Sequence, residues 1–117
     1  MKMFYLSHPY TGDEEKNRAE AYFIASRLAR KYPDVVFFNP LDAMQHTVTA
    51  GLGYDTVLKQ CIEILRRCDG IIMAGDWSES AGCREEFRVA KERGLKLYTI
   101  EEVEEWRGTP CWSRPRG

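Results

Sequence analysis

The sequence predicts one α/β domain, with a parallel sheet of four to five strands lying between two layers of helices. Three observations predict it. Four short apolar runs recur along the chain, without the polar alternation of a half-exposed strand, as expected of strands buried on both faces. Segments with helical apolar spacing separate the runs. Pro, Gly, Asn and Asp stand where one pattern gives way to the next. A length of 117 residues suits a single domain, 1–117.

The first run, Lys2 to Leu6, reads as a buried strand stopped by Ser7-His8-Pro9. Thr11 with Glu14 three residues later has the pattern of a capping box, so a helix is expected there with Ala21, Tyr22, Ala25, Leu28 and Ala29 inward. Its first turn is acidic and its last basic, both favourable to the helix dipole, and Tyr32-Pro33 ends it. Val35 to Phe38 is entirely β-branched or aromatic and reads as the second strand. Residues 41–53 show no clear period, and the small residues and two glycines from Thr47 to Gly53 predict a mobile loop. Tyr54 to Cys68 reads as a second helix with Val57, Leu58, Cys61, Ile62, Leu65 and Cys68 facing in. A third strand (Asp69 to Ala74), a turn holding Trp77, a third helix (Ser80 to Arg93) and a fourth strand (Leu95 to Ile100) follow. Gly94 is the helix stop. Glu101 to Trp106 suits a last helix, and the segment from about residue 107 is expected to be poorly ordered. The order β-α-β-loop-α-β-α-β, with right-handed crossovers, is that of a Rossmann- or flavodoxin-like three-layer sandwich. In such sheets ligands bind beyond the carboxyl ends of the strands, where the loops Ser7 to Gly12, Asn39 to Ala43 and Gly75 to Gly82 converge.

Composition narrows the function classes. Net charge is −1 with both signs interspersed, which argues against nucleic-acid binding through phosphates. No apolar run approaches the roughly 18 residues of a membrane span. The N-terminus runs straight into a strand, so no membrane partner and a cytoplasmic location are expected. Cys61, Cys68, Cys83 and Cys111 form no C-x-x-C and pair with no nearby histidine, so no metal site is expected and buried reduced thiols are.

Individual residues in the three loops and the third helix stand out. With Cys83, Phe87 and Ala90 inward at about 100° per residue, Glu86 falls on the apolar side and Glu85 on the polar side. An inward carboxylate must pair with an arginine, be neutralised or face a cavity, and spacing alone leaves these open. Trp77 to Gly82 leads into a helix N-terminus whose free amides suit an anion. Ser80 adds a hydroxyl and Gly82 permits close approach, although Ser78 or Ser80 also serves as an ordinary cap. The first loop offers Tyr5, Ser7, His8, Pro9 and Gly12 but lacks both G-x-G-x-x-G and the P-loop pattern. His8 suits either acid–base work or donation to a backbone carbonyl. Tyr5 suits the core, and Trp77 either a base platform or a lid on the core.

Four motifs, taken in order, resemble a known family. Y-L-S-x-P-x-x-G (Tyr5 to Gly12), C-D-G-I-I (Cys68 to Ile72), G-D-W (Gly75 to Trp77) and S-x-G-x-x-x-E-x-x-x-A (Ser80, Gly82, Glu86, Ala90) are similar to nucleoside 2-deoxyribosyltransferase-like proteins, over nearly the whole chain to about residue 100. The resemblance implies that Glu86 is a nucleophile toward C1′ of a deoxynucleoside, oriented by Tyr5, with no cofactor. Ser80 is similar to the branch that hydrolyses 2′-deoxynucleoside 5′-monophosphates, where serine and the helix N-terminus hold the phosphate. Ser7, His8, Pro9, Gly12, Asn39, Asp76, Trp77, Ser78, Ser80 and Gly82 would then surround a small nucleotide or nucleoside, in a homodimer or higher oligomer. One position departs: the family's acid in the second helix is Cys61 here, leaving Asp55, Glu63 or His8 to replace it. A non-catalytic nucleotide-binding or assembly module is the alternative.

Overall fold

All four apolar runs form strands, and every strand pair is parallel. The structure, a computed structural model, describes residues 1–106. Strands β1 (Lys2–Ser7), β2 (Val35–Phe38), β3 (Gly70–Met73) and β4 (Lys96–Thr99) make one sheet in the order β2-β1-β3-β4, with Tyr5 opposite Phe38 and Ile71. The central pair is buried because successive side chains alternate between two cores. Phe4, Leu6, Ile72 and Ala74 face the side covered by α1 (Glu14–Lys31) and α6 (Ile100–Glu105), against Leu28 and Val103. Tyr5, Ile71 and Met73 face the side covered by α4 (Tyr54–Leu65) and α5 (Ala81–Glu92), against Leu65, Val89 and Ala90. Phe4, Leu6, Ile71 and Ile72 are fully buried, each stabilising by about 1.5–3 kcal/mol relative to exposure. Gly70 is required at the start of β3. A Cβ there would stand 2.5 Å from Cε1 of Phe4 and 2.8 Å from the Lys96 carbonyl.

Four details differ from the sequence expectation. Asp13, not Thr11, caps α1, its carboxylate accepting from the Lys16 amide at 3.2 Å; a charged acceptor is also favoured there by the helix dipole. A complete capping box does occur, between Thr99 and Glu102 at the start of α6. Tyr22 and Ala29 lie on the outer side of α1, whose inner stripe is Ala21, Ile24, Ala25 and Leu28. The expected mobile loop is two short helices, α2 (Pro40–Ala43) and α3 (Gln45–Thr49). Asn39 starts α2 by accepting from the Leu41 amide, Pro40 supplies a preset first turn, and Met44 and Thr47 are buried. The second long helix stops at Leu65, three residues early. The segment from residue 107, expected to be poorly ordered, and Cys111 lie outside the described residues. Among the described residues no helix is long and apolar enough to cross a membrane.

Candidate active site

The site is assembled where the end of β1 meets the first half of α5. Tyr5 and Ser7 are two apart on a strand and so project to the same face, the face that α5 covers. Glu86 sits on the inner stripe of α5 and is 6% exposed, while Tyr5 and Ser7 are fully buried. The Tyr5 hydroxyl donates to Oε2 of Glu86, and the Ser7 hydroxyl donates to Oε1 at 2.8 Å. Both carboxylate oxygens are therefore held by neutral donors, and among the described residues no ion pair reaches Glu86. Burial raises the Glu86 pKa to about 7, and the two hydroxyl bonds pull against that rise. Burial first, and then the Glu86 charge, lifts the Tyr5 phenol well above its ordinary value. The arginine pairing open to Glu86 is made by Glu85 instead: Arg88 bridges Glu85 and Glu92 on the outer face and holds Glu85 below the usual carboxyl value.

Two thiols flank this arrangement. Cys61 packs in the same core as Tyr5, and burial pushes its thiol to about 11. Cys83 packs in that core as well, and burial raises its thiol pKa. Neither is in a disulfide, and both are protonated thiols at neutral pH.

Glu86 opens onto a recess of about 270 Å³. Tyr5, Cys61 and Cys83 are buried beside Glu86 in its lining, and its apolar wall is built by Leu41, Met44, Val48, Val57 and Leu58. Among the described residues Glu86 is the only carboxyl group lining it. A second, wider recess of about 730 Å³ adjoins it and shares His8, Thr11, Tyr54, Ser80 and Gly82.

The expected site residues separate into those that line a recess and those that do not. His8, Ser80 and Gly82 line both recesses; Pro9 and Asp76 line the second. Ser80 also caps α5, accepting from the Cys83 amide at 3.3 Å. Ser7 spends its hydroxyl on Glu86. Gly12, Asn39, Trp77 and Ser78 line neither recess. Asn39 caps α2, the Ser78 carbonyl accepts from Arg84, and the Trp77 ring stacks on Phe87 at 5.2 Å. Trp77 is therefore a lid on the core and not a platform in the recess. Asp55 and Glu63 also line neither recess, and Glu63 is occupied with Arg66 and Arg67.

Tyr54 escaped the sequence reading. It stands on the first turn of α4, half exposed, and its hydroxyl would lie 3.0 Å from a Cβ at Gly82. Burial and the nearby Glu86 raise its pKa. The apolar wall from α2 and α3 was missed with it, since the segment 41–53 carries too little periodicity to predict a packed face. Among the described residues no group of three or more His, Cys, Asp or Glu is gathered to hold a metal ion.

Comparison with known families places the chain. Residues 1–99 match the model of a family described as a domain of unknown function, DUF4406, so the chain belongs to that family. No curated protein matches it.

Proposed function

We propose that this member of the DUF4406 family cleaves, or transfers across, the N-glycosidic bond of a 2′-deoxynucleoside or its 5′-monophosphate. The observation that carries this reading is Glu86, a buried carboxylate at the wall of a ligand-sized recess, held by two hydroxyls and, among the described residues, by no cation. Spare carboxylates are expensive to bury. One fixed at both oxygens beside a cavity suits attack on an electrophilic carbon, as in retaining glycosidases.

In this scheme a Glu86 oxygen bonds to C1′ as the C1′–N bond breaks, and the base departs with the bonding electron pair. The apolar wall suits the flat face of the base. Tyr5 and Ser7 hold the carboxylate at the angle of attack. Water, or the nitrogen of a second base, then attacks C1′ and frees Glu86. The leaving base takes up one proton in the first step; the half-exposed Tyr54 hydroxyl and the Cys61 thiol are among the protonated groups that line the recess and could supply it. A 5′-phosphate would meet Ser80 and the α5 amides.

One observation favours a second reading, a nucleotide-binding or assembly module without turnover: among the described residues no carboxylic acid besides Glu86 lines the first recess. Incubation of the protein with each deoxynucleoside and each 5′-monophosphate, followed by chromatography of free base, separates the two. Base release by wild type and not by Glu86→Gln is the result the enzyme reading expects. Release by neither, with or without an added acceptor base, leaves the binding module.

A further inference from the structure

We propose that the recess beside Glu86 takes a flat aromatic cation, so that the bond cleaved joins C1′ to a positively charged ring nitrogen, as in a pyridinium or 7-alkylpurinium nucleoside. This names the substrate class for the reading above and rests on it for the role of Glu86 as nucleophile.

Two features of the recess lead there, and the first is charge. Glu86 is buried, and its two partners, Tyr5 and Ser7, are neutral. Among the described residues no Lys or Arg lines the recess with it, and no ion pair reaches it. A buried carboxylate without a counter-ion is costly, and a cationic ring supplies the missing charge. The lining suits such a ring twice over. Leu41, Met44 and Val57 give apolar surface to a flat face, and Tyr10 and Tyr54 add aromatic rings, which attract cations.

The second feature is the want of an acid. A neutral base leaves as an anion unless a proton reaches it. Among the described residues no carboxyl group besides the nucleophile lines the recess. His8 lines it, but its ring nitrogens face the Pro9 carbonyl, 2.8 Å from Nδ1, and the Glu20 carboxylate, 3.3 Å from Nε2. Burial holds the Cys61 thiol at about 11 and raises the Tyr54 phenol, so both are weak acids at neutral pH. A cationic base needs no proton. A Glu86 oxygen bonds to C1′, the C1′–N bond breaks, its electron pair stays on the ring nitrogen, and the base leaves neutral. Water then attacks C1′, Glu86 departs as the carboxylate, and the surplus proton of the water goes to solvent. One proton is thus released per turnover.

The test has a binding arm and a turnover arm. In the first, 1-methylnicotinamide, a flat cation with no bond to cleave, and neutral nicotinamide are titrated into the protein and followed by NMR. Wild type is expected to prefer the cation about tenfold at about pH 8, and Glu86→Gln to show no preference. With Glu86 titrating at about 7, the wild-type preference should fall about fivefold at about pH 6. Around Glu86, Tyr5 on β1, Tyr54 and Cys61 on α4 and Cys83 on α5 all titrate higher. In the second arm, base release is measured from nicotinamide 2′-deoxyriboside, 7-methyl-2′-deoxyguanosine and 2′-deoxyguanosine, with spontaneous loss subtracted. At least one cationic nucleoside should outpace deoxyguanosine about a hundredfold, and which one does so tells a pyridinium from a purinium. Its kcat/KM should rise through about pH 7 and stay level to about pH 9, because no acid has to hold a proton. Equal binding of the two probes by wild type overturns the proposal, as does a falling limb in that range or equal turnover of deoxyguanosine. If the Glu86-dependent preference holds but no base is released, the glycosidic reading fails and selection of the cationic ring stands. If deoxyguanosine loses its base and no preference is seen, the reverse is true. No preference and no release end both.

Discussion

Replacing Glu86 by glutamine should change how stability depends on pH, and the size of the change follows from its burial. The Glu86 pKa is raised from an ordinary 4.5 to about 7 because the carboxylate has left water; two hydroxyl bonds offset this only in part, and among the described residues no cation pairs with it. The folded state then holds this proton more tightly than the unfolded state does. The contribution is fully present below pH 4.5 and is lost as pH rises through about 7. At about 1.4 kcal/mol per pKa unit, the loss amounts to roughly 3 kcal/mol, a large part of the 5–15 kcal/mol typical of a domain. Glutamine keeps the shape and cannot ionise, and its amide can donate to one hydroxyl while accepting from the other. Urea unfolding of both proteins between about pH 4 and 8 gives the difference directly, since every other titrating group is common to both. The variant should gain on wild type steadily from pH 4.5 to 7 and level off above. Glu85→Gln, next in sequence but only half-buried and paired with Arg88, serves as the control and should show no such gain. A flat difference for Glu86→Gln, or one of opposite sign, refutes the reasoning and means that a cation reaches this carboxylate.

Two further substitutions probe the same construction. Tyr5→Phe removes the donor to Oε2, so the Glu86 pKa should rise further. The protein should lose about 1–3 kcal/mol at pH 8 for the unsatisfied oxygen, and an unchanged midpoint in the same pH series would contradict this. Gly70→Ala pushes a methyl into the Phe4 ring and the Lys96 carbonyl. It should cost about 1–3 kcal/mol in urea unfolding, as overpacking does, and a neutral result would mean that β3 and β4 are not packed as described.

The sheet was legible because each strand is an unbroken apolar run, and only burial on both faces selects such runs. Glu86 was legible in the same way. One carboxylate on an apolar stripe at 100° per residue is a local pattern, and the helix keeps it. What the carboxylate bonds to was not legible from spacing, since Tyr5 is 81 residues away in sequence and only the β1–α5 packing joins them; family resemblance alone suggested the pair. The stretch 41–53 was misread because α2 and α3 are too short to show a period, and their formation depends on Asn39, Pro40 and the burial of Met44 and Thr47. The α1 face was misplaced by alanines, which fit either side of a helix and carry little information about direction. Trp77 was ambiguous for another reason: whether an aromatic side chain in a turn covers the core or meets a ligand depends on its neighbour, here Phe87.

The central claim is that Glu86 becomes covalently bonded to the sugar. Wild-type protein mixed with excess deoxynucleoside or its monophosphate, quenched in acid within a turnover and digested, should yield a peptide containing Glu86 that carries a deoxyribosyl group by mass spectrometry. That peptide should be unmodified in Tyr5-intact Glu86→Gln protein. Base release with no adduct on Glu86, or equal release by Glu86→Gln, contradicts the account.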